Sequence, residues 1–359
     1  MPQISLSHLF VPWLILLAFG VVMVGSAAVA LDAQYLPNHL MFLGVAAVVC
    51  AVIFAIPIKL WRSLYLLGWL GSVLIAVVVL LPGIGHEVNG ATRWIRLGGF
   101  SLQAAEVAKF GLCVFLAGYL ARYHDRVSED ARHFIVPFAM IAVVAGLIVA
   151  EPDLGSGVVI VAAALGLLFL AGAKLRFFVL FGLLGVGAVY LLVTLVPWRA
   201  ERLVAFWDPW AVATGSGYQL TQALIAFGRG EIAGLGLGEG VQKLFYLPEA
   251  HNDFIFAVVA EELGGLGAIL VACLMGFLVV KLFVIARRLI ITGQHFGGYV
   301  AYFVGLIIGI QLLVNLGVNT GVLPTKGLTL PFVSYGGNSL IISCALFALV
   351  LRCVYEERA

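Results

Sequence analysis

The chain has 359 residues, 63% of them hydrophobic and only 11% charged, with a net charge of +2. Soluble globular chains carry roughly 25% charged residues, so this composition cannot clothe a water-facing surface, and lipid must be the solvent. The near-neutral charge and the absence of a basic stripe argue against a nucleic-acid partner.

Apolar runs such as 11–30 and 135–150 approach the roughly 20 residues that span a bilayer. Backbone amides in hydrocarbon must be satisfied within the segment, so the runs are helices. The alternation of a membrane barrel is absent. Ten helices are predicted, at 9–30, 38–57, 64–82, 103–121, 134–150, 156–172, 177–196, 252–285, 297–316 and 338–355. The first lacks a cleavage pattern and reads as an anchor. The eighth exceeds one simple crossing and must tilt, kink or extend past the bilayer. The expected fold is an all-α polytopic membrane protein, a single domain over 1–359, with a long outer loop at about 197–251 between helices 7 and 8. The cysteines (Cys50, Cys113, Cys273, Cys344, Cys353) sit in apolar runs or at their ends, in no metal or disulfide spacing.

Orientation follows from Lys and Arg near the helix ends. One set of connections holds Lys59 and Arg62; Arg122, Arg126 and Arg132; Lys174 and Arg176; Lys281, Arg287 and Arg288; Arg352 and Arg358. That side is predicted to be cytoplasmic, with both termini inside. Of the acids, only Asp125, Glu129, Asp130, Glu356 and Glu357 fall there, so the chemistry is expected outside or within the membrane.

Four outer segments carry polar residues that an inert bundle would not need. In 89–110, Glu106 and Lys109 lie three apart near a helix start and can pair. Ionisable groups at membrane depth cost about 2.5–3.5 kcal/mol each on insertion scales and are read first as functional; the bland reading is a structural ion pair. In EPDLGS (151–156), Asp153 either caps the next helix or walls a site. In YLPEAHNDFIFAVVAEELGG (246–265), Glu249, His251 and Asp253 cluster where a helix begins, and Glu261 and Glu262 lie deeper, where carboxylates must be neutral, paired or wet. In GVLPTKGLTLPFVSYGGNSL (321–340), two prolines and four glycines break the helical pattern. Such backbone is tolerated at membrane depth only when buried in protein or lining a watery cavity, which Lys326 and Ser334 would then face.

The motifs NGATRWIRLGG with AEVAK, EPDLGS, LPEAHNDFIFAVVAEELG and GVLPTKGLTLPFVSYGG, in this order, resemble the SEDS family, which includes RodA and FtsW. Short tails favour RodA. The resemblance implies a peptidoglycan glycosyltransferase of the bacterial inner membrane, acting at its outer face during cell elongation. It implies lipid II as substrate, and a class B penicillin-binding protein and other elongation-complex membrane proteins as partners. Asp253 matches the family's essential outer aspartate, and Glu106 and Lys109 its acidic and basic pair. The chain departs from the family pattern at Ala104 and Ala105, and at Ser101, where RodA relatives often carry Arg; Arg93 or Arg96 would inherit its role.

An α-linked donor giving a β-linked glycan requires inversion, which one base-assisted displacement achieves. Asp253 is the candidate base. Arg93, Lys109 and Lys326 are candidates to meet the leaving pyrophosphate's charge. A carboxylate-bound Mg²⁺ or Mn²⁺ is the alternative source, although no metal motif is visible. The rival functions are a lipid II flippase and a non-catalytic scaffold for the penicillin-binding protein; polar groups and broken helices also suit transport.

Overall fold

The computed structural model describes residues 6–88, 91–98, 100–127, 130–195, 201 and 205–358. Asn89, Gly90 and Gly99 of the first outer motif, Glu129, and most of 196–204 in the long loop lie outside the described residues.

The helices, in chain order, are α1 Ser7–Ala27, α2 Tyr35–Ala55, α3 Ile58–Ser63, α4 Tyr65–Leu80, α5 Ala104–Arg122, α6 Arg132–Ala150, α7 Leu154–Leu170, α8 Leu175–Thr194, α9 Tyr218–Gly230, α10 Ile255–Ile291, α11 His295–Asn319 and α12 Gly337–Arg358. Eight of them are long and apolar enough to cross a membrane. Two shorter apolar helices, α4 with 16 residues and α7 with 17, fall on the predicted third and sixth spans. With these, every predicted span has a helix on it, offset by a few residues.

Two elements depart from expectation. Residues 85–103 form an antiparallel three-stranded sheet, β1 Gly85–Val88, β2 Ala91–Leu97 and β3 Phe100–Gln103, packed on the end of α4. The long loop is not simply an outer excursion, since it contains α9, and the chain after it returns to α10 and sinks into the bundle. Lys243 and Gln242 are buried there.

That return repairs a break in α10. Gly264 sits at φ +69°, a conformation that L side chains rarely adopt, so the helix kinks there. The break frees backbone groups, which hydrocarbon cannot solvate. The 231–236 segment takes them up. Leu235 N and Gly236 N donate to the carbonyls of Glu261 and Glu262, and Gly265 N and Leu266 N donate to the carbonyls of Glu231 and Ile232.

The two glutamates at this break are paired. Lys243 Nζ lies 2.5 Å from Glu262 Oε1, both side chains at most 1% exposed. Ser26 Oγ of α1 donates to both oxygens of Glu262, and Gly238 N donates to Oε2. Glu261 accepts from Arg229 Nε, Val241 N and Gln242 N. The network ties α1, α9 and the loop to the kink.

At one end of the bundle, Ile58 N donates to Glu356, Arg288 pairs with Glu357, and His124 stacks on His295 at 3.8 Å. Four of the five connections rich in Lys and Arg therefore meet at a single end. The sheet and the segments 151–153, 249–253 and 325–338 gather round the site described below.

Removing one member of a buried pair strands the other's charge, at a cost of about 3–5 kcal/mol. Lys243→Ala should therefore lower the thermal midpoint of the detergent-solubilised protein sharply. Lys243→Met with Glu262→Leu should recover most of the loss, and equal melting of the single variant and the parent would refute the structural role.

Candidate active site

A cavity of about 840 Å³ opens between the sheet, the α6–α7 turn, the start of α10 and the 325–339 segment. Its wall carries Arg93, Glu106, Asp153, Glu249, Asp253 and Lys326. Residues from four separated sequence segments thus face one space, with two cations and four carboxylates round it.

Each is placed by a local cause. Arg93 is on β2, whose pairing with β1 and β3 turns this stretch over the cavity. Glu106 is in the first turn of α5, where a carboxylate complements the helix dipole. Lys109 Nζ lies 2.7 Å from both Glu106 oxygens. Asp153 is the N-cap of α7 and accepts from Ser156 N at 3.2 Å and Ser156 Oγ at 2.9 Å. Its Oδ2 also accepts from Gln103 Nε2 at the end of β3, so the aspartate is both cap and cavity wall.

Asp253 is half-buried just before α10. It is not the N-cap: that position is Phe254, with no side-chain cap bond. Its backbone is fixed from α11 instead. Asn315 Nδ2 and Asn319 Nδ2 both donate to the Asp253 carbonyl, at 3.0 and 3.1 Å, while Asn319 Oδ1 accepts from Ala257 N. Opposite the carboxylate lies Gly327, where an added Cβ would come 2.9 Å from Asp253 Oδ2. Glycine at 327 leaves room for that carboxylate in its observed position.

Other expected site residues lie elsewhere. Lys109 is only 3% exposed and stands behind the wall, held by Glu106. Ser334 is also behind it, donating to the Asn252 carbonyl and accepting from Leu330 N. The backbone there needs those bonds more than the cavity needs a hydroxyl. His251 faces an adjoining cavity, and burial pulls its imidazole below the ordinary value although Glu249 opposes this. Arg96 is exposed on β2 and lines neither cavity. Among the described residues no three His, Cys, Asp or Glu side chains converge as metal ligands.

The chain reading missed Asn315 and Asn319, although two asparagines four apart in an apolar helix are a visible signal. It also passed over Glu151, which sits beside a proline and the more conspicuous Asp153. Glu151 is fully buried, and neither oxygen has a hydrogen-bond partner among the described residues. Burial, reinforced by the charge of Asp153 and opposed by Arg93, pushes its carboxyl from an ordinary 4.5 up to about 8.

The family described as "Cell cycle protein", which groups FtsW, RodA and SpoVE, matches residues 7–359. The chain belongs to this SEDS family. A Coxiella burnetii protein named probable peptidoglycan glycosyltransferase FtsW is 46% identical over 352 residues, covering 95% of this chain and 94% of that one. A Hahella chejuensis protein of the same name is 49% identical over 346 residues, 94% and 87% of the two chains. A solved chain described under polymerization and crosslinking by a peptidoglycan synthase complex superposes with TM-score 0.81 at 29% identity, covering 97% of each. The rod shape determining protein RodA of Thermus thermophilus superposes with TM-score 0.74 at 28% identity, covering 98% and 97%. The identities to the relatives named FtsW run higher than the identity to this RodA. Like its family, this SEDS chain is a multi-pass membrane protein.

The raised Glu151 carboxyl sets a pH dependence. Between about 4.5 and about 8 the folded protein holds a proton there that the unfolded chain has released, so stability falls as pH rises through that window and levels off above it. Glu151→Gln should flatten this part of the decline, measured as thermal midpoints of the purified protein across the window. An identical slope in parent and variant would assign the dependence to other groups.

Proposed function

We propose that this chain polymerises lipid II into glycan strands at the outer face of the bacterial cytoplasmic membrane. Its enzymatic class is the one its relatives carry by name, peptidoglycan glycosyltransferase, at 43–49% identity over nearly their full length. The observation that carries the site-level reading is that Asp253, Arg93 and Lys326 face one cavity.

The chemistry follows from that arrangement. The acceptor sugar's hydroxyl gives its proton to the Asp253 carboxylate as its oxygen attacks the donor's anomeric carbon. The new C–O bond forms on the face opposite the departing group, which inverts the centre. The bond to the polyprenyl pyrophosphate breaks, and the pyrophosphate leaves with the electron pair. Its growing negative charge is met by the Arg93 guanidinium and the Lys326 ammonium, positioned before the reaction begins. Asp253 is half-buried on the cavity wall, where an acceptor hydroxyl can reach its carboxylate. The Glu106–Lys109 pair has no proton to move in this scheme; it stiffens the first turn of α5 beneath the cavity.

The topology proposed with this mechanism is ten crossings with both termini in the cytoplasm. It is supported by the eight long apolar helices, the two shorter ones, and the meeting of four basic connections at one end. The active cavity then opens outward. A class B penicillin-binding protein is the proposed cross-linking partner, supported by the likeness to a chain solved in a polymerising and crosslinking complex. Between division and elongation, the relatives named FtsW and the family's description as a cell cycle protein favour division. Filamentous cells on depletion fit that choice, and rounded cells fit elongation.

The deciding assay is purified protein with lipid II in detergent, products resolved by size; with no second compartment, a flippase or scaffold makes no glycan. Asp253→Ala and Asp253→Asn should abolish polymer while leaving the protein folded. Gly327→Ala, which pushes on the same carboxylate, should cost about 100-fold in rate, since misplacements near 1 Å have effects of that order. Parental rates in the Asp253 variants would sink the assignment of the base.

A further inference from the structure

A second cavity, of about 740 Å³, lies between α2, the β3 strand and the start of α12. It shares Trp94, Glu249, Asn252, Gly336, Gly337 and Asn338 with the Asp253 cavity, so one thin wall separates the two. The chain steps through that wall: His251 faces only the second cavity, Asn252 both, and Asp253 only the first.

The two spaces differ in charge. The Asp253 cavity holds Arg93 and Lys326, whereas the described lining of the second holds no Lys or Arg and two carboxylates, Asp32 and Glu249. Ser101 lies on this lining, at the position where the resemblance places an Arg in many relatives. A pyrophosphate gains nothing here. What the lining offers is side-chain amides, Gln34, Asn38, Asn252 and Asn338, and a cluster of aromatic rings. Tyr35, His251 and Tyr335 pack mutually with centroids 4.7–5.4 Å apart. His251 is 8% exposed, its Nδ1 has no hydrogen-bond partner among the described residues, and the same holds for Asn252 Oδ1 in the wall. Buried polar atoms left unpaired are costly and are normally satisfied by something. Amides, an unpaired imidazole nitrogen and aromatic faces without cations are the chemistry of an uncharged sugar ring, whose hydroxyl and acetamido groups take the hydrogen bonds and whose C–H face lies on the rings.

We infer that the second cavity is the acceptor subsite: it seats the uncharged terminal amino sugar of the second lipid-linked substrate and delivers its hydroxyl past Asn252 to Asp253. This rests on the polymerase reading above. The donor's pyrophosphate keeps to the cationic cavity, and the acceptor hydroxyl reaches Asp253 from the adjoining one.

The test is binding stoichiometry of labelled lipid II on full-length Asp253→Asn protein, by native mass spectrometry in detergent. The Asp253→Asn background should bind two molecules. Ile341→Trp, which fills the second cavity from α12 without lining the first, should bind one. The gentler Asn38→Ala, on the opposite wall, should weaken one of the two sites by about tenfold. A β-1,4-linked N-acetylglucosamine disaccharide, which carries no phosphate, should displace one molecule from the background and none from Ile341→Trp. Two molecules retained in folded Ile341→Trp, one molecule in the background, or a disaccharide that displaces nothing would each overturn the subsite. Loss of the polymerase reading is seen separately, as active Asp253→Asn or as no glycan from the parent.

Discussion

One amide group holds the two halves of the site together. Asn315 Nδ2 donates to the carbonyl of Asp253 at 3.0 Å and to that of Leu328 at 2.8 Å. The segment carrying Asp253 and the segment carrying Lys326 are both irregular backbone, and irregular backbone inside a membrane bundle must be satisfied by protein. Asn319 adds a second hold on Asp253, Ser334 bridges Asn252 and Leu330, and Tyr335 N donates to the His251 carbonyl. The same bonds that let unwound chain exist at this depth fix the distance between carboxylate and cation. Stability and the geometry of the cavity are therefore set by the same few side chains.

Charge in the bundle is handled in two ways. Glu106 with Lys109, and Glu262 with Lys243, are paired within hydrogen-bond distance, so each buried ion has its counter-ion. Such pairs add little net stability over apolar replacements, but they make the arrangement intolerant of losing one partner. Glu151 is the exception among the described residues near the site. It has no close partner and holds a proton instead, which is how an isolated carboxyl survives burial. Its neighbours Asp153 and Arg93 both line the larger cavity, so the turn at 151–153 joins a neutral buried acid to the cavity wall.

Much of this was legible in the chain. Apolar length located the helices, because hydrocarbon thickness fixes how many residues a crossing needs. The cluster of Glu249, His251 and Asp253, and Lys326 in the broken segment that follows, stood out, because charge and broken helices are both expensive in lipid. What escaped was of another kind. The β1–β3 sheet is short, rich in Arg and Gly, and takes its order from packing on α4, so periodicity gave it no signature. The inward turn of 231–243 depends on pairing with Glu261 and Glu262, a contact between segments that neither announces alone. Lys109 and Ser334 carried the right chemistry in the right segments, yet their side chains point into protein, and residue type does not encode direction at a turn. Asn315 and Asn319 were readable but uncharged, and a search led by charge passes over them.

The shortness of α4 and α7 shapes the surrounding bilayer. At 1.5 Å per residue, 16 and 17 residues reach only about 24–26 Å, less than a hydrocarbon core of about 30 Å. α4 ends against the sheet that bears Arg93, and α7 begins at Asp153, so both stubs border the cavity between the sheet and the α6–α7 turn. A crossing this short is met by thinned lipid, by flanking residues that snorkel or by association with another helix, at a fraction of a kcal/mol per Å. Where the lipid thins, the headgroup plane dips toward the protein beside the cavity. An amphiphile in that leaflet would then arrive with its headgroup lowered toward the level of Arg93, its hydrocarbon still fully immersed.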